Sequence, residues 1–291
     1  MFPKMKIVSI LMMAVLCQGG FARSIDTDTF RLDQKIQEQK IVRPDELRIS
    51  PYSLDFAREL TLLGAGNIMT GLGVLLYNNT EPLTEEEVAL LDPSDVAKFD
   101  RVAITTKKTD RAGDILLMSS VFLPLTFLFQ NDTKKDMGTL GIMAAEVFLL
   151  QLGVNSLAKG LVGRARPFVY DENTPMELKT TVNAKRSFFS GHASTAASMS
   201  FYVAKVFSDY LSNTTTKTII WTSAALYPTV MGFLRIDTGN HFPTDVIIGY
   251  ATGAVIGYLI PALHKSKLKN NLAVHSFVYD GKVTIGLIYS F

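Results

Sequence analysis

The chain has 291 residues, 47% of them hydrophobic and 19% charged, with a mean hydropathy of +0.20. That balance excludes an ordinary soluble domain, and a net charge of +2 is too small to attract nucleic acid. The only cysteine, Cys17, excludes an intrachain disulfide framework.

Residues 1–22 carry Lys4 and Lys6, an apolar run from Ile7 to Leu16, and small residues around Gly20-Phe21-Ala22. This pattern predicts a signal peptide, or an uncleaved signal anchor. Residues 23–56 are polar, contain Pro44 and Pro51, and read as an exposed N-terminal arm. Residues 57–111 hold the first membrane helix and a surface connection. Leu60 to Thr80 is free of charge and long enough to span a bilayer, although rich in glycine. In the connection, Thr84-Glu85-Glu86-Glu87 and Asp92-Pro93-Ser94-Asp95 are helix-start signals that predict one or two short surface helices.

Residues 112–265 predict five further spans, near 113–131, 138–158, 191–208, 217–235 and 242–263. Pro124 should kink the first of these. Glu146 falls inside an apolar run, which points either to function or to a carboxyl hydrogen-bonded between helices. Residues 168–186 are polar and loop-like and are placed to roof a site. The last three spans are rich in Ala, Ser, Thr and Gly, as close helix packing in lipid favours. In the tail, 266–291, apolar residues alternate from Val283 to Phe291 after Asp280-Gly281, which predicts a β-hairpin packed on the helices. The fold class is therefore all-α: a polytopic membrane helix bundle of about six helices, with a short C-terminal β-hairpin.

Three stretches at span ends carry chemistry. Lys159-Gly-Leu-Val-Gly-Arg-Ala-Arg-Pro167 places Lys159 and Arg166 two helical turns apart, on one face if the helix persists to Pro167. Ser187-Phe-Phe-Ser-Gly-His192 opens a helix, with Ser190 as N-cap, the Gly191 N–H in an anion cradle and His192 at its mouth. Arg235-Ile-Asp-Thr-Gly-Asn-His-Phe-Pro-Thr-Asp245 offers a forked cation and, four residues apart, His241 and Asp245, so that a carboxylate can hold an imidazole and make it a nucleophile. The order of spans puts all three ends on one side of the bilayer. Arg164 and Lys185 match no motif position and are expected to be solvated or to face headgroups.

Together these stretches resemble the type 2 phosphatidic acid phosphatase (PAP2) superfamily, in its bacterial membrane lipid phosphatase branch. The family pattern runs K-x6-R-P, P-S-G-H and S-R-x5-H-x3-D. Here Lys159, Arg166 and Pro167 complete the first motif, and the others depart only at Phe189, for proline, and Leu234, for serine. Neither departure removes a charged group, and the resemblance covers roughly residues 112–265. It implies a phosphatase acting on a lipid phosphomonoester or diphosphate through a phosphohistidine. His241, oriented by Asp245, would be the nucleophile and His192 the acid and base. Lys159, Arg166, Ser190, Gly191 and Arg235 would bind phosphate.

No cofactor and no metal is implied at that site. The expected partners are the lipid substrate and the bilayer, not nucleic acid; the oligomeric state stays open. Alternatives are a vanadate-dependent haloperoxidase, a lipid phosphotransferase or a non-catalytic lipid-phosphate binder. Lys134-Lys135 and Lys265, Lys267 and Lys269 lie on the side away from the motifs, which predicts an inner-membrane protein with its site facing the periplasm. A cleaved signal peptide followed by six full spans predicts the reverse, unless residues 60–80 are re-entrant or that uncharged first segment stays membrane-bound without crossing.

Overall fold

The computed structural model describes residues 50–266 and the backbone of 272–279 and 282–289. The expectations for residues 1–49 and for the Asp280-Gly281 turn lie outside the described residues.

Six long helices organise residues 50–266: α1 (Phe56–Asn78), α2 (Arg111–Phe122), α3 (Met137–Val162), α4 (Gly191–Tyr210), α5 (Thr214–Asp237) and α6 (Pro243–His264). The α2 helix passes into a 3-10 segment, Leu123–Phe129, at the turn where Pro124 removes a backbone donor. At 23 residues, α1 is one unbroken helix of about 34 Å, without the break that a re-entrant segment requires.

Five of the six, α1, α2 with its 3-10 extension, α3, α5 and α6, are long and apolar enough to cross a membrane. The remaining one, α4, matches the span expected near 191–208 in position but is less apolar. Its surroundings explain this. It packs against α2, α3, α5 and α6, and its buried residues are mostly Ala, Ser and Thr, with Met199, Tyr202, Val203 and Val206 joining the apolar core toward its end.

Close backbone approach holds the bundle together. A Cβ on Gly249, Gly253 or Gly257 of α6 would stand 2.6, 2.1 or 2.2 Å from the carbonyl oxygen of Ser190, Ser194 or Ser198 on α4. The spacing of four puts the three glycines in one ridge, which brings the two helices to backbone contact where apolar burial offers little drive in lipid. The α1–α3 pair repeats this, with Gly66 and Gly73 against Leu149 and Ser156.

The site-facing end is closed by the 79–110 and 163–190 connections. Their short helical turns share a cluster of Val88, Phe168, Val169 and Ala184. Thr84 and Glu87 form a capping box there, and Asp92 caps Pro93–Asp95, as the helix-start signals predict. Residues 168–186 are thus three helical turns with an apolar underside rather than a polar loop. At the other end Ser53 N donates to His264 O and Ser266 N to Pro51 O, which ties the start of α1 to the end of α6.

The C-terminal strands β1 (Leu272–Tyr279) and β2 (Lys282–Tyr289) pair antiparallel, with Leu272 opposite Tyr289. They belong to a unit separate from residues 50–266.

Candidate active site

The chain turns sharply between α5 and α6. Thr238 closes α5, and Gly239, at φ +67°, takes the left-handed conformation that lets the N–H groups of Asn240 and His241 return to the Arg235 carbonyl, each at 3.1 Å. His241 is thereby carried into the protein, where it is buried. Its Nδ1 lies 2.7 Å from the Ser187 carbonyl, which can only accept, so Nδ1 carries the proton and Nε2 presents a lone pair. Burial, and then the charges of Arg166, Lys159 and Arg235, hold His241 well below the ordinary imidazole range, so the ring is neutral near pH 7.

Asp245 sits one helical turn away, but its Oδ2 is 3.9 Å from Nδ1, beyond a hydrogen bond. That oxygen instead accepts from Ser187 Oγ at 2.5 Å and from the Phe242 N–H at 3.0 Å. Asp245 therefore reaches the imidazole through Ser187, whose carbonyl makes the direct contact.

The cations arrive from three elements. Helix α3 ends at Val162 because Gly163, at φ +59°, terminates it, so Arg166 does not share a helix face with Lys159 as the spacing alone predicts. Arg166 is placed by the segment that follows the helix. Its Nε donates to the Asn183 carbonyl at 2.9 Å, Nη2 to Asn183 Oδ1 at 3.0 Å, and Nη1 to the Asn240 carbonyl and Oδ1 at 3.2 Å. No carboxylate neutralises it among the described residues. Lys159 faces the start of α4: a Cβ on Gly191 would be 3.4 Å from its Nζ. Arg235 pairs with Asp110 at 2.8 Å, yet its Nε is buried without a partner.

Ser190 caps α4, accepting from Ala193 N at 3.4 Å, which leaves its hydroxyl proton free to donate. Asn155 braces the turn, its Nδ2 donating to the Phe189 carbonyl at 2.8 Å, and its Oδ1 would be 2.8 Å from a Cβ on Gly191. His192, in the first turn of α4, lies 3.1 Å from Asp114 Oδ1 through Nε2.

Several contributors were not legible in the motifs. Arg164, expected to be solvated, bridges two buried carboxylates, Asp245 at 2.6 Å and Asp100 at 2.8 Å, and its guanidinium lies 4.1 Å from the centre of the Phe242 ring. The physical reason is Asp245 itself, a fully buried carboxylate that needs a charged partner. Lys107 donates to Asn240 Oδ1 at 2.6 Å, and burial followed by the charges of Arg166 and Arg235 lowers it to about 8. Asp110 and Asp114 stand four apart at the start of α2, a spacing that signals a paired face. Nothing local marks Lys107, Asn183 or Ser187.

A neutral imidazole with a free Nε2, a buried Arg166 and a half-buried Lys159 that lack carboxylates, and an unsatisfied Arg235 Nε together make an arrangement that could hold a multiply charged oxyanion.

With five helices long and apolar enough to cross a bilayer, the chain is an integral membrane protein. A curated relative, the lipid A 4'-phosphatase of Porphyromonas gingivalis, is 27% identical over 148 residues, 50% of this chain. That match spans 58% of the relative's own length, less than two thirds. Two solved structures are similar. The transmembrane PAP2 type phosphatidylglycerolphosphate phosphatase from Bacillus subtilis is 19% identical, with 74% of this chain and 96% of that chain covered and a TM-score of 0.41. LpxE from Aquifex aeolicus is 24% identical, with 58% and 98% covered and a TM-score of 0.35. The family model described as the PAP2 superfamily matches residues 139–269. Residues 139–269, the stretch similar to that family, hold all three motifs.

Proposed function

We propose that the chain is a membrane phosphatase that hydrolyses a lipid phosphomonoester or diphosphate through a phosphohistidine on His241. The observation that carries this reading is the neutral, buried His241, with Nδ1–H on a carbonyl and Nε2 free, in the field of Arg166, Lys159 and Arg235. In the first step Nε2 attacks phosphorus, an N–P bond forms, and the P–O bond to the lipid breaks. His192 gives its proton to the leaving oxygen. In the second step His192 takes a proton from water, the hydroxide oxygen attacks phosphorus, and phosphate leaves as His241 is regenerated. The charge on the equatorial oxygens is met by Lys159, Arg166, Arg235, the Ser190 hydroxyl and the Gly191 N–H. Asp245 and Ser187 position the nucleophile.

A lipid substrate is supported by an apolar cavity of about 370 Å³ between α5 and α6, lined by Pro228, Phe233, Ile236, Val246 and Tyr250. Two of its lining residues, Ile236 and Val246, are sequence neighbours of Arg235 and Asp245. Because the similar protein from P. gingivalis is a lipid A 4'-phosphatase, a lipid A phosphate is the first substrate to test, before phosphatidic acid, phosphatidylglycerol phosphate and polyprenyl diphosphate.

The paired lysines Lys134-Lys135 and the basic run from Lys265 support a periplasmic site in a bacterial inner membrane. With six crossings that orientation requires the segment before α1 to be cytoplasmic, which argues against a cleaved signal peptide.

The test is phosphate release from these lipids by purified wild type and His241→Ala. Release by the wild type in water, lost in the variant while the protein stays in the membrane, is expected. Substantial release by His241→Ala overturns the nucleophile assignment, and phosphate passing only to an added alcohol identifies a transferase.

A further inference from the structure

The end of the bundle opposite His241 holds a second buried charged cluster that phosphoryl transfer does not use. Glu59 comes from the first turn of α1, Glu146 from within α3 and His264 from the last residue of α6. Their nearest ligating atoms all lie within 4.8 Å of one another. Because α6 has 22 residues, the cluster is separated from the Asp245 end by about 32 Å of helix.

Three features set the cluster apart from an ordinary ion pair. His264 Nδ1 lies 2.8 Å from the Ile260 carbonyl, so Nδ1 carries the proton and Nε2 faces the glutamates. Nε2 is 3.0 Å from Glu59 Oε1 and 3.1 Å from Glu146 Oε2, yet Nε2 and both Glu146 oxygens are buried without an aligned hydrogen bond. An imidazolium shared between carboxylates would aim Nε2–H at one of them. Here the atoms converge without pointing at one another. Finally, Glu146 is fully buried, and an ionised carboxylate there needs a cation. Arg58 pairs with Glu59 at 2.9 Å, which leaves His264, 3.1 Å away, as the one cationic partner for Glu146 among the described residues.

We propose that Glu59, Glu146 and His264 form a binding site for a divalent transition metal, with Zn²⁺ the best fit. Histidine nitrogen and carboxylate oxygen are zinc donors, and ligands at about 2.0–2.2 Å from one tetrahedral zinc stand about 3.3 Å apart, close to the separations found. The Nδ1–H to carbonyl contact is the outer support that a zinc-ligating histidine needs. The ion would tie α1, α3 and α6 together at the end where Pro51 to Ser53 already meet His264 to Ser266. It touches no atom of the phosphate site.

The test uses the full chain in detergent, stripped with a chelator, desalted and re-exposed to Zn²⁺, with bound metal measured by mass spectrometry. One zinc per chain is expected for the wild type, and Co²⁺ in its place should give the intense visible bands of four-coordination. Glu146→Gln and His264→Gln should each lose the zinc and the bands while keeping the wild-type elution volume and helicity. Should either buried substitution prevent folding, Glu59→Gln, at the more exposed edge, should weaken zinc binding by about tenfold or more. Wild type that takes up no more zinc than Glu146→Gln overturns the proposal and leaves the trio a proton-sharing ion pair. So does a folded His264→Gln that keeps its zinc.

Discussion

The two ends of the bundle bury charge of opposite sign. At the α5–α6 turn, Lys107, Arg166 and Lys159 have no carboxylate of their own among the described residues, while Asp100, Asp110 and Asp245 are occupied by Arg164 and Arg235. At the far end Glu146 is buried beside His264, while Glu59, also within reach of His264, is paired with Arg58. Burying a surplus of one sign is costly in a low-dielectric interior, and it persists where a ligand of the other sign completes the site. On the readings proposed above, one end takes an anion and the other a cation, and α6 links them, with Asp245 in its first turn and His264 as its last residue.

The largest expected effect that would break this contrast is at Arg166. Its guanidinium uses Nε, Nη1 and Nη2 at once on Asn183 and Asn240, which a lysine cannot reproduce. Arg166→Lys should lower kcat/KM by about 10²–10³-fold with zinc content unchanged. Near-wild-type activity would make Arg166 a bystander.

Ligand binding should separate the ends next. Vanadate at about 100 times its dissociation constant should stabilise the wild type by about 2.7 kcal/mol, read as a shift in melting temperature. Glu146→Gln should retain that shift, and His241→Ala should keep most of it, because the cations remain. Loss of the shift in Glu146→Gln would mean that the two ends are not independent.

A smaller effect is expected in the pH profile. Lys107, lowered to about 8, is charged below that pH and neutral above it, so kcat/KM should fall as pH rises through about 8. Lys107→Arg stays charged throughout and should move that alkaline limb upward. An unmoved limb would remove Lys107 from the anion site. The smallest effect belongs to the scaffold: Gly253→Ala, forced against the Ser194 carbonyl, should cost about 1–3 kcal/mol of stability without altering substrate preference.

Much of the bundle was legible because a membrane span needs only a long apolar run, and the motifs were legible because their residues are near in sequence. The legible part ends where partners are far apart. Arg164 meets Asp100 across 64 positions and Asp245 across 81, and Arg235 meets Asp110 across 125. No local spacing encodes such pairs. Two local readings failed for identifiable reasons: Gly163 stops the helix that was to align Lys159 with Arg166, and Ser187 stands between Asp245 and His241. Glu146 was singled out as costly in lipid, but its companions Glu59 and His264 are 87 and 118 residues away along the chain.

The most direct measurement is chemical capture of the intermediate. Purified protein would be mixed with a lipid substrate carrying labelled phosphorus, quenched within milliseconds in alkali, where phosphohistidine survives, and its peptides mapped. Label on His241, formed at least as fast as steady-state phosphate release, is the predicted result. Steady phosphate release without label on His241, or with label on another residue, would contradict a nucleophilic His241.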